Sequence, residues 1–178
     1  MASFGDRVVG AMKLDVQTFE EIERDPAAMG QAVGVLVLAA VSAGLGNLYY
    51  GGISGILIGV IGALVGYAAW AAIVWLIGTK LMPEPTTKAE FAETFRVVAF
   101  ATAPGLLRVI TIIPILGWLI GFLIWLWMVA AMVVAVRQVL DYSSTAKAIV
   151  VVILGFITFL IIYFILLLPY LGARMIMG

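Results

Sequence analysis

The charged residues of this 178-residue chain are confined to short segments, and this feature constrains its fold more than any other. All charged side chains but one lie within residues 1–31, 79–96, 137–147 and 172–178, and the exception is Arg108. Hydrophobic residues make up 65% of the chain and charged residues 11%, whereas a soluble domain has roughly 25% charged residues. This layout is typical of a polytopic membrane protein, whose apolar stretches lie in lipid and whose charges lie in the connections. It excludes a soluble enzyme.

The composition excludes several further classes of function. The chain has no cysteine and no histidine, so disulfides, thiol chemistry, zinc sites of the usual N/S type and histidine acid–base catalysis are absent. The formal net charge is zero, which gives no basic surface for nucleic acid. The acids Glu84, Glu90 and Glu93 follow no catalytic spacing and are interpreted as the solvated face of a helix. We therefore expect no catalytic residue, no metal site and no cofactor.

The first segment, residues 1–31, is polar and amphipathic. Its apolar residues recur at helical spacing, at Phe4, Val8 and Met12 and then at Phe19 and Ile22. Asp15 is placed to cap the second of these helices, and Asp25 followed by Pro26 predicts the start of a new helix. We interpret the segment as one or two short helices at the membrane surface. No apolar core follows a basic start, so it is not a signal peptide, and the first span is expected to be its own uncleaved targeting signal.

The apolar stretches have room for five spans, since one span needs about 20 residues. The predicted spans lie near residues 32–50, 53–78, 95–113, 115–136 and 147–171.

Local signals mark where these spans begin, bend and end. They are a tight turn at Asn47 to Gly52, a capping box at Thr87 and Glu90, a kink at Pro104, a turn at Pro114 to Gly117, and a stop at Pro169 to Gly172.

The basic residues indicate the orientation of these spans. With a cytoplasmic N-terminus, eight basic residues lie in cytoplasmic segments, and Arg174 alone lies on the outer side. The asymmetry agrees with the positive-inside rule, and four or six spans would destroy it. We therefore expect a multi-pass protein of the cytoplasmic (inner) membrane with its C-terminus outside.

Small residues form a stripe along the second predicted span. Its members are Gly55, Gly59, Gly62 and Gly66, continued by Ala69. At 100° per residue they share one face, and small residues at this spacing let a second helix approach closely in lipid. The stripe serves either packing within the monomer or an interface with another protein or a second copy. In the fourth span Trp118, Phe122 and Trp125 also share one face and are candidate knobs for such a groove.

Arg108 is the one charge inside a predicted span, and such residues are functional candidates. No span contains an acid to pair with it. Because Arg108 lies about 9 Å from the outer end of its span at 1.5 Å per residue, its side chain can reach lipid phosphate. A role in binding a ligand or a partner is the alternative. The absence of acids in the spans argues against proton- or cation-coupled transport.

The stretch from Phe91 to Leu106 and the turn that follows resemble the Yip (Ypt/Rab-interacting protein) domain family, in its prokaryotic branch. The residues that carry the resemblance are Phe95, Arg96, Ala101, Pro104, Pro114 and Gly117. Ala99 stands where the family commonly has glycine. The resemblance implies a five-span helical protein with a cytoplasmic N-terminus, which agrees with the span count. Eukaryotic members of the family are linked to vesicle traffic and Rab GTPase binding.

These observations predict an all-α integral membrane protein with a cytoplasmic segment at 1–31 and a five-span Yip-like domain at 32–178. The leading function is a non-catalytic scaffold or accessory subunit that binds other integral membrane proteins, itself or membrane lipids, and no nucleic acid. The alternative is a small channel or uncoupled transporter in which Arg108 and Pro104 line a pathway.

Overall fold

The computed structural model describes residues 2–46, 48–113 and 116–177, and it places side chains for 2–45, 56–113 and 116–165. Over these ranges the chain is helical, and the α-helices in chain order are α1 (Phe4–Met12), α2 (Val16–Arg24), α3 (Ala28–Gly46), α4 (Leu48–Leu76), α5 (Phe91–Phe100), α6 (Gly117–Val139) and α7 (Thr145–Met177). A π-helical turn, Ile77–Leu81, extends α4, and a 3-10 helix, Ala103–Ile112, follows α5.

Five helical stretches within the described ranges are long and apolar enough to cross a membrane. They are Ala28–Leu45, Ile56–Leu81, Phe91–Ile112, Gly117–Val139 and Thr145–Ile165. The predicted all-α fold with five spans is confirmed. The third stretch is the most buried of the five. The α5 segment and the 3-10 helix that form it contact α3, α4 and α6, so this stretch is the centre of the bundle.

The N-terminal segment forms two helices, and their caps explain where they begin. The Ser3 hydroxyl accepts a hydrogen bond from the Asp6 N–H at 3.2 Å, and the Asp6 carboxylate accepts one from the Ser3 N–H at 3.0 Å. Asp15 caps α2 as predicted, because its carboxylate accepts the Thr18 N–H at 3.0 Å. A side chain at Gly10 would overlap Thr18, so this glycine lets α1 and α2 pack closely.

The start of the third span differs from its prediction. The box expected at Thr87 and Glu90 is wrong, because the Glu90 N–H donates to the Glu93 carboxylate at 2.8 Å. Thr87 instead donates its hydroxyl to the Leu140 carbonyl at 2.7 Å. The predicted kink is present as a change of helix type, since α5 ends at Phe100 and Pro104 lies in the first turn of the 3-10 helix. Proline has no N–H to donate, which favours a new helical start at this point.

The boundary between the first two spans falls within the range predicted for it, Asn47 to Gly52, because α3 ends at Gly46 and α4 begins at Leu48. The tight turn expected from the glycines at 51 and 52 is wrong, because α4 continues through both. The stop expected at 169–172 is also wrong, because α7 continues to Met177. A long apolar helix satisfies its own backbone groups, so glycine and proline within it need not end it. Asn47 lies outside the described residues.

Candidate functional site

The two N-terminal helices and the loops at 82–90 and 140–144 meet at one end of the bundle, called here the N-terminal end. The Tyr142 hydroxyl donates to the Met82 carbonyl at 2.8 Å and approaches the Gly78 carbonyl at 3.3 Å. Lys147 forms a 3.3 Å ion pair with Glu84, which connects the same two loops. The π-helical turn leaves carbonyls without helical partners, and Tyr142 supplies a donor to them.

Arg7 is the centre of a buried ionic cluster at this end. Its side chain is 2% exposed, and it pairs with Glu21 at 3.0 Å and with Asp25 at 2.5 Å. It also donates to the Gln31 side chain at 3.0 Å, while its Nε has no acceptor among the described residues. The hydrogen bond from Arg7 lowers the pKa of Asp25, and the Ala2 N–H together with Arg7 lowers the pKa of Glu21. The cluster therefore joins α1, α2 and the start of α3.

Arg96 is the second buried cation of the N-terminal end. Its side chain is 5% exposed and comes from the middle of α5. It donates Nε to the Ile22 carbonyl at 3.2 Å and Nη2 to the Glu23 carbonyl. These carbonyls belong to the last turn of α2, where the helix has no further N–H groups to offer. Arg96 thus caps α2 and holds it against the central span.

Trp127 holds the end of α1 against the side of α6. Its indole N–H donates to the Met12 carbonyl at 2.7 Å. Trp127 lies 12 residues before Val139, which is about 18 Å along the helix at 1.5 Å per residue. The N-terminal helices therefore pack along the flank of the bundle and not only beneath its end. Phe19 and Ile22 are fully buried there, as the sequence pattern predicted for the apolar face of α2.

Glu23 lies in an acidic environment at the N-terminal end. Burial of the carboxyl, with Asp141 and Glu93 nearby, raises the pKa of Glu23 to about 7. Burial also raises the pKa of Asp141. The nearby charge of Arg24 lowers both values but does not cancel the effect of burial. Both groups lie outside the membrane-spanning helices.

We expect stability to fall as the pH rises from about 5 to 8. The folded chain holds the Glu23 proton more tightly than the unfolded chain, whose ordinary pKa is 4.5, so deprotonation between pH 4.5 and about 7 favours unfolding. The thermal midpoint of the detergent-solubilised protein measures this, and Glu23→Gln should flatten the slope and raise the midpoint at pH 8. Glu20→Gln on the same helix is the comparison, and it should change the slope less, because the Glu20 charge raises the pKa of Glu23 less than burial, Asp141 or Glu93 does. Equal slopes for wild type and Glu23→Gln would contradict the assignment.

The glycine stripe lies on an outward face of α4. A methyl group at Gly59, Gly62 or Gly66 would meet no described atom within 4 Å. Leu57, Ile58, Ile61 and Val65 beside them are also exposed. Packing against the described residues therefore does not account for these three glycines, and the surroundings of Gly55 lie outside the described residues.

The aromatic knobs lie on an outward face of α6. Trp118 is 75% exposed, and the rings of Phe122 and Trp125 stack with centroids 6.1 Å apart. Because no described atom lies within 4 Å of a side chain added at the three stripe glycines, these knobs do not fill the stripe of their own chain.

The remaining candidate residues are distributed along the central span. Ala101 and Pro104 are buried where α5 gives way to the 3-10 helix, and Phe95 packs against the core. Arg108 is partly exposed in the 3-10 helix. An open groove of about 1100 Å³ lies on the N-terminal helices, and none of the candidate site residues named from the sequence lines it. Pro114 lies outside the described residues.

A side chain on Gly117 would overlap the Thr111 carbonyl, so this position needs glycine for α6 to start beside the 3-10 helix.

Sequence reasoning missed Arg7 and Trp127. The spacing of α1 pointed to a face with Phe4, Val8 and Met12, but the buried residues are Arg7, Val8 and Ala11. Arg7 is buried because α2 supplies two carboxylates, and nothing in the sequence of α1 indicates them. Among the described residues, no group of three histidine, cysteine, aspartate or glutamate side chains is arranged to hold a metal ion.

Comparison with known proteins agrees with this architecture. The family model described as the Yip1 domain matches residues 12–166, which include α2, all five spans and Arg96, but not Arg7. No curated protein and no solved structure matches the chain. The match covers most of the chain, and this multi-pass membrane protein therefore belongs to the Yip1 domain family.

Proposed function

We propose that this protein is a non-catalytic scaffold or accessory subunit of the cytoplasmic (inner) membrane. In this role it binds other integral membrane proteins, or a second copy of itself, through outward helix faces. The observation that carries the proposal is the open stripe at Gly59, Gly62 and Gly66, where added side chains would meet no described atom within 4 Å.

The stripe is informative because helix association in lipid depends on close packing and not on removing apolar surface from water. Glycines that serve packing within the chain have close neighbours here, as Gly10 has Thr18 and Gly78 has Leu140. The stripe glycines lack such neighbours. An approaching helix would find room for backbone contact at this face.

The aromatic knobs of a second copy are one suitable occupant of the stripe. The Trp70 indole N–H contacts the Met132 sulfur at 3.4 Å, which places these residues of α4 and α6 at a similar depth in the bundle. Gly62 lies about 12 Å and Phe122 about 15 Å from this contact, toward the opposite end of the bundle, at 1.5 Å per residue. Two protomers inserted with the same orientation therefore present stripe and knobs at similar depth.

Two further observations support the proposal. Glu93 is the one acidic residue of the five described spans, and it lies in the first turn of Phe91–Ile112, where it accepts the Glu90 N–H. The interior of the spans therefore offers no carboxylate for proton-coupled transport or acid–base catalysis. Eight of the ten basic residues lie in segments that the positive-inside rule assigns to the cytoplasm, which supports a cytoplasmic N-terminus and an outer C-terminus.

We expect Gly62→Leu to weaken association by about tenfold while leaving the monomer folded, because the new side chain fills the groove and its Cβ meets no described atom within 4 Å. Native mass spectrometry from membranes and cross-linking measure the association and identify co-purifying proteins. Phe122→Ala should weaken self-association if the knobs are the occupant.

Gly30→Leu is the matched control, since Gly30 also has no neighbour within 4 Å but lies on α3 away from the stripe. A strictly monomeric wild type with no co-purifying partner would contradict the proposal, as would unchanged association in Gly62→Leu.

A further inference from the structure

The open groove on the N-terminal helices combines charged and apolar side chains. It has a volume of about 1100 Å³ and follows α1, the α1–α2 turn and the start of α2. The charged residues that line it are Asp6, Lys13 and Asp15, and its apolar side chains are those of Val9, Leu14 and Val16. A ligand that fills the groove therefore meets charges of both signs next to apolar surface.

Trp127 shows where the groove lies relative to the bundle. Its indole N–H donates to the Met12 carbonyl at 2.7 Å, and Met12 directly precedes Lys13 and Leu14 of the groove. The α2 helix contacts α6 as well. The groove is therefore beside α6, at the level of Trp127.

The side of α6 that carries Trp127 is apolar toward the start of the helix. Leu123 and Leu119 precede Trp127 by four and eight residues, and Leu116 lies immediately before the helix. All of them are exposed, whereas α6 exposes no large hydrophobic residue after Trp127. From Leu116 to Trp127 this apolar side is about 16 Å long, close to the roughly 15 Å of hydrocarbon in one leaflet. Acyl chains on it end at the level of the groove.

The charges of the groove indicate that it faces headgroups. Asp6, Lys13 and Asp15 are exposed, and exposed charges are costly in hydrocarbon. Hydrogen bonds from the Ser3 hydroxyl and N–H lower the pKa of Asp6, and those from Thr18 lower the pKa of Asp15, so both carboxyls are ionised at neutral pH. Tryptophan is also typical of the interface between lipid and water.

The set of charges selects one kind of headgroup. Lys13 offers three N–H donors to a phosphate, while the carboxylates attract a cation. The capping hydrogen bonds end on Oδ2 of Asp6 and of Asp15, and a carboxylate has a second oxygen for a further donor. A primary ammonium carries such donors, whereas the quaternary ammonium of choline has none. An anionic headgroup without a cation would be repelled by both carboxylates.

We propose that the groove binds the headgroup of one phosphatidylethanolamine molecule, with the acyl chains lying on the side of α6 from Leu116 to Trp127. The phosphate meets Lys13 and the ammonium meets Asp6 and Asp15. The site belongs to the leaflet on the side of the N-terminal helices. It is separate from the glycine stripe, which lies on α4, so the site does not depend on self-association.

The test compares phosphatidylethanolamine, phosphatidylcholine and phosphatidylglycerol of equal chain length, each added to the full chain in dodecyl maltoside micelles. Native mass spectrometry and lipid-dependent thermal stabilisation measure binding. Phosphatidylethanolamine should bind about tenfold more tightly than either of the others, because only it supplies both a phosphate and an ammonium with N–H donors.

Three variants connect this preference to the groove. Lys13→Gln and Asp15→Asn should each bind phosphatidylethanolamine about fivefold more weakly. Asparagine also caps helices well, so Asp15→Asn should keep α2 folded, and the thermal midpoint without added lipid checks this. Lys88→Gln is the matched control, because Lys88 is an exposed lysine at the N-terminal end that does not line the groove.

Three outcomes would overturn the proposal. Equal binding of phosphatidylethanolamine and phosphatidylcholine would show that the ammonium is not recognised. Wild-type binding by both Lys13→Gln and Asp15→Asn would show that the lipid lies elsewhere. Displacement of the lipid by an equal concentration of glycerophosphoethanolamine would show a site for a soluble compound, without acyl chains on α6.

Discussion

Replacing Arg7 with methionine is expected to lower the free energy of unfolding by about 3 kcal/mol, the low end of the range for breaking a buried ion pair. Methionine keeps most of the side-chain volume but leaves Glu21 and Asp25 without their shared cation. The low end applies because Glu21 is 39% exposed and water can solvate it. Denaturant unfolding of the purified protein in detergent measures the change.

A second variant separates charge from packing. Arg7→Met combined with Glu21→Gln and Asp25→Asn should recover at least half of the lost stability, because no unpaired carboxylate remains. Arg24→Gln breaks an exposed ion pair on α2 and should change stability by less than about 0.5 kcal/mol. If Arg7→Met were as mild as Arg24→Gln, the buried cluster would not be a major contributor to stability.

Replacing Arg96 with leucine is expected to lower stability by about 3 kcal/mol, since hydrogen bonds to a charged group contribute about 1.5–3 kcal/mol each. The last turn of α2 would lose its cap at the Ile22 and Glu23 carbonyls. We expect the loss of stability to affect α1 and α2 before it affects the spans. Hydrogen exchange should accelerate in α1 and α2 at denaturant concentrations that leave the spans protected.

Arg96→Lys tests whether the fork itself matters. Lysine retains the charge but has one nitrogen to reach two carbonyls, so its loss of stability should be smaller than that of leucine. Arg137→Leu serves as the comparison, because Arg137 also donates to a carbonyl but lies at the edge of the bundle. Unchanged exchange in α2 of Arg96→Leu would mean that the hydrophobic contacts of Phe19 and Ile22 hold the helix without the cap.

Much of the fold was predictable because it depends on local chemistry. Asp15 caps α2 by accepting the Thr18 N–H, the Thr18 hydroxyl donates to the same carboxylate, and the two residues are three positions apart in sequence. The break near Pro104 follows from the missing N–H of proline. Five spans follow from the length of apolar sequence between charged segments, since an unpaired backbone or charge in lipid is costly.

The candidate site was predictable only in part. The stripe and the knobs are visible from helical periodicity, but whether they face a neighbouring span or the outside depends on how α4 and α6 are rotated. Arg96 was noted as a family residue, while its contact with α2 spans more than 70 positions of sequence. The Glu84 carboxylate likewise meets Lys147 and the Ser143 N–H across a similar separation.

The sequence by itself determined the membrane class, the number of spans and the amphipathic N-terminal helices, because each depends on residues that are close in the chain. The tertiary structure decided which charges are buried and paired and which glycines stay open. Arg7 shows the reason. It lies in a polar segment with no buried partner evident from its own helix, and only the packing of α2 against α1 brings the Glu21 and Asp25 carboxylates to it.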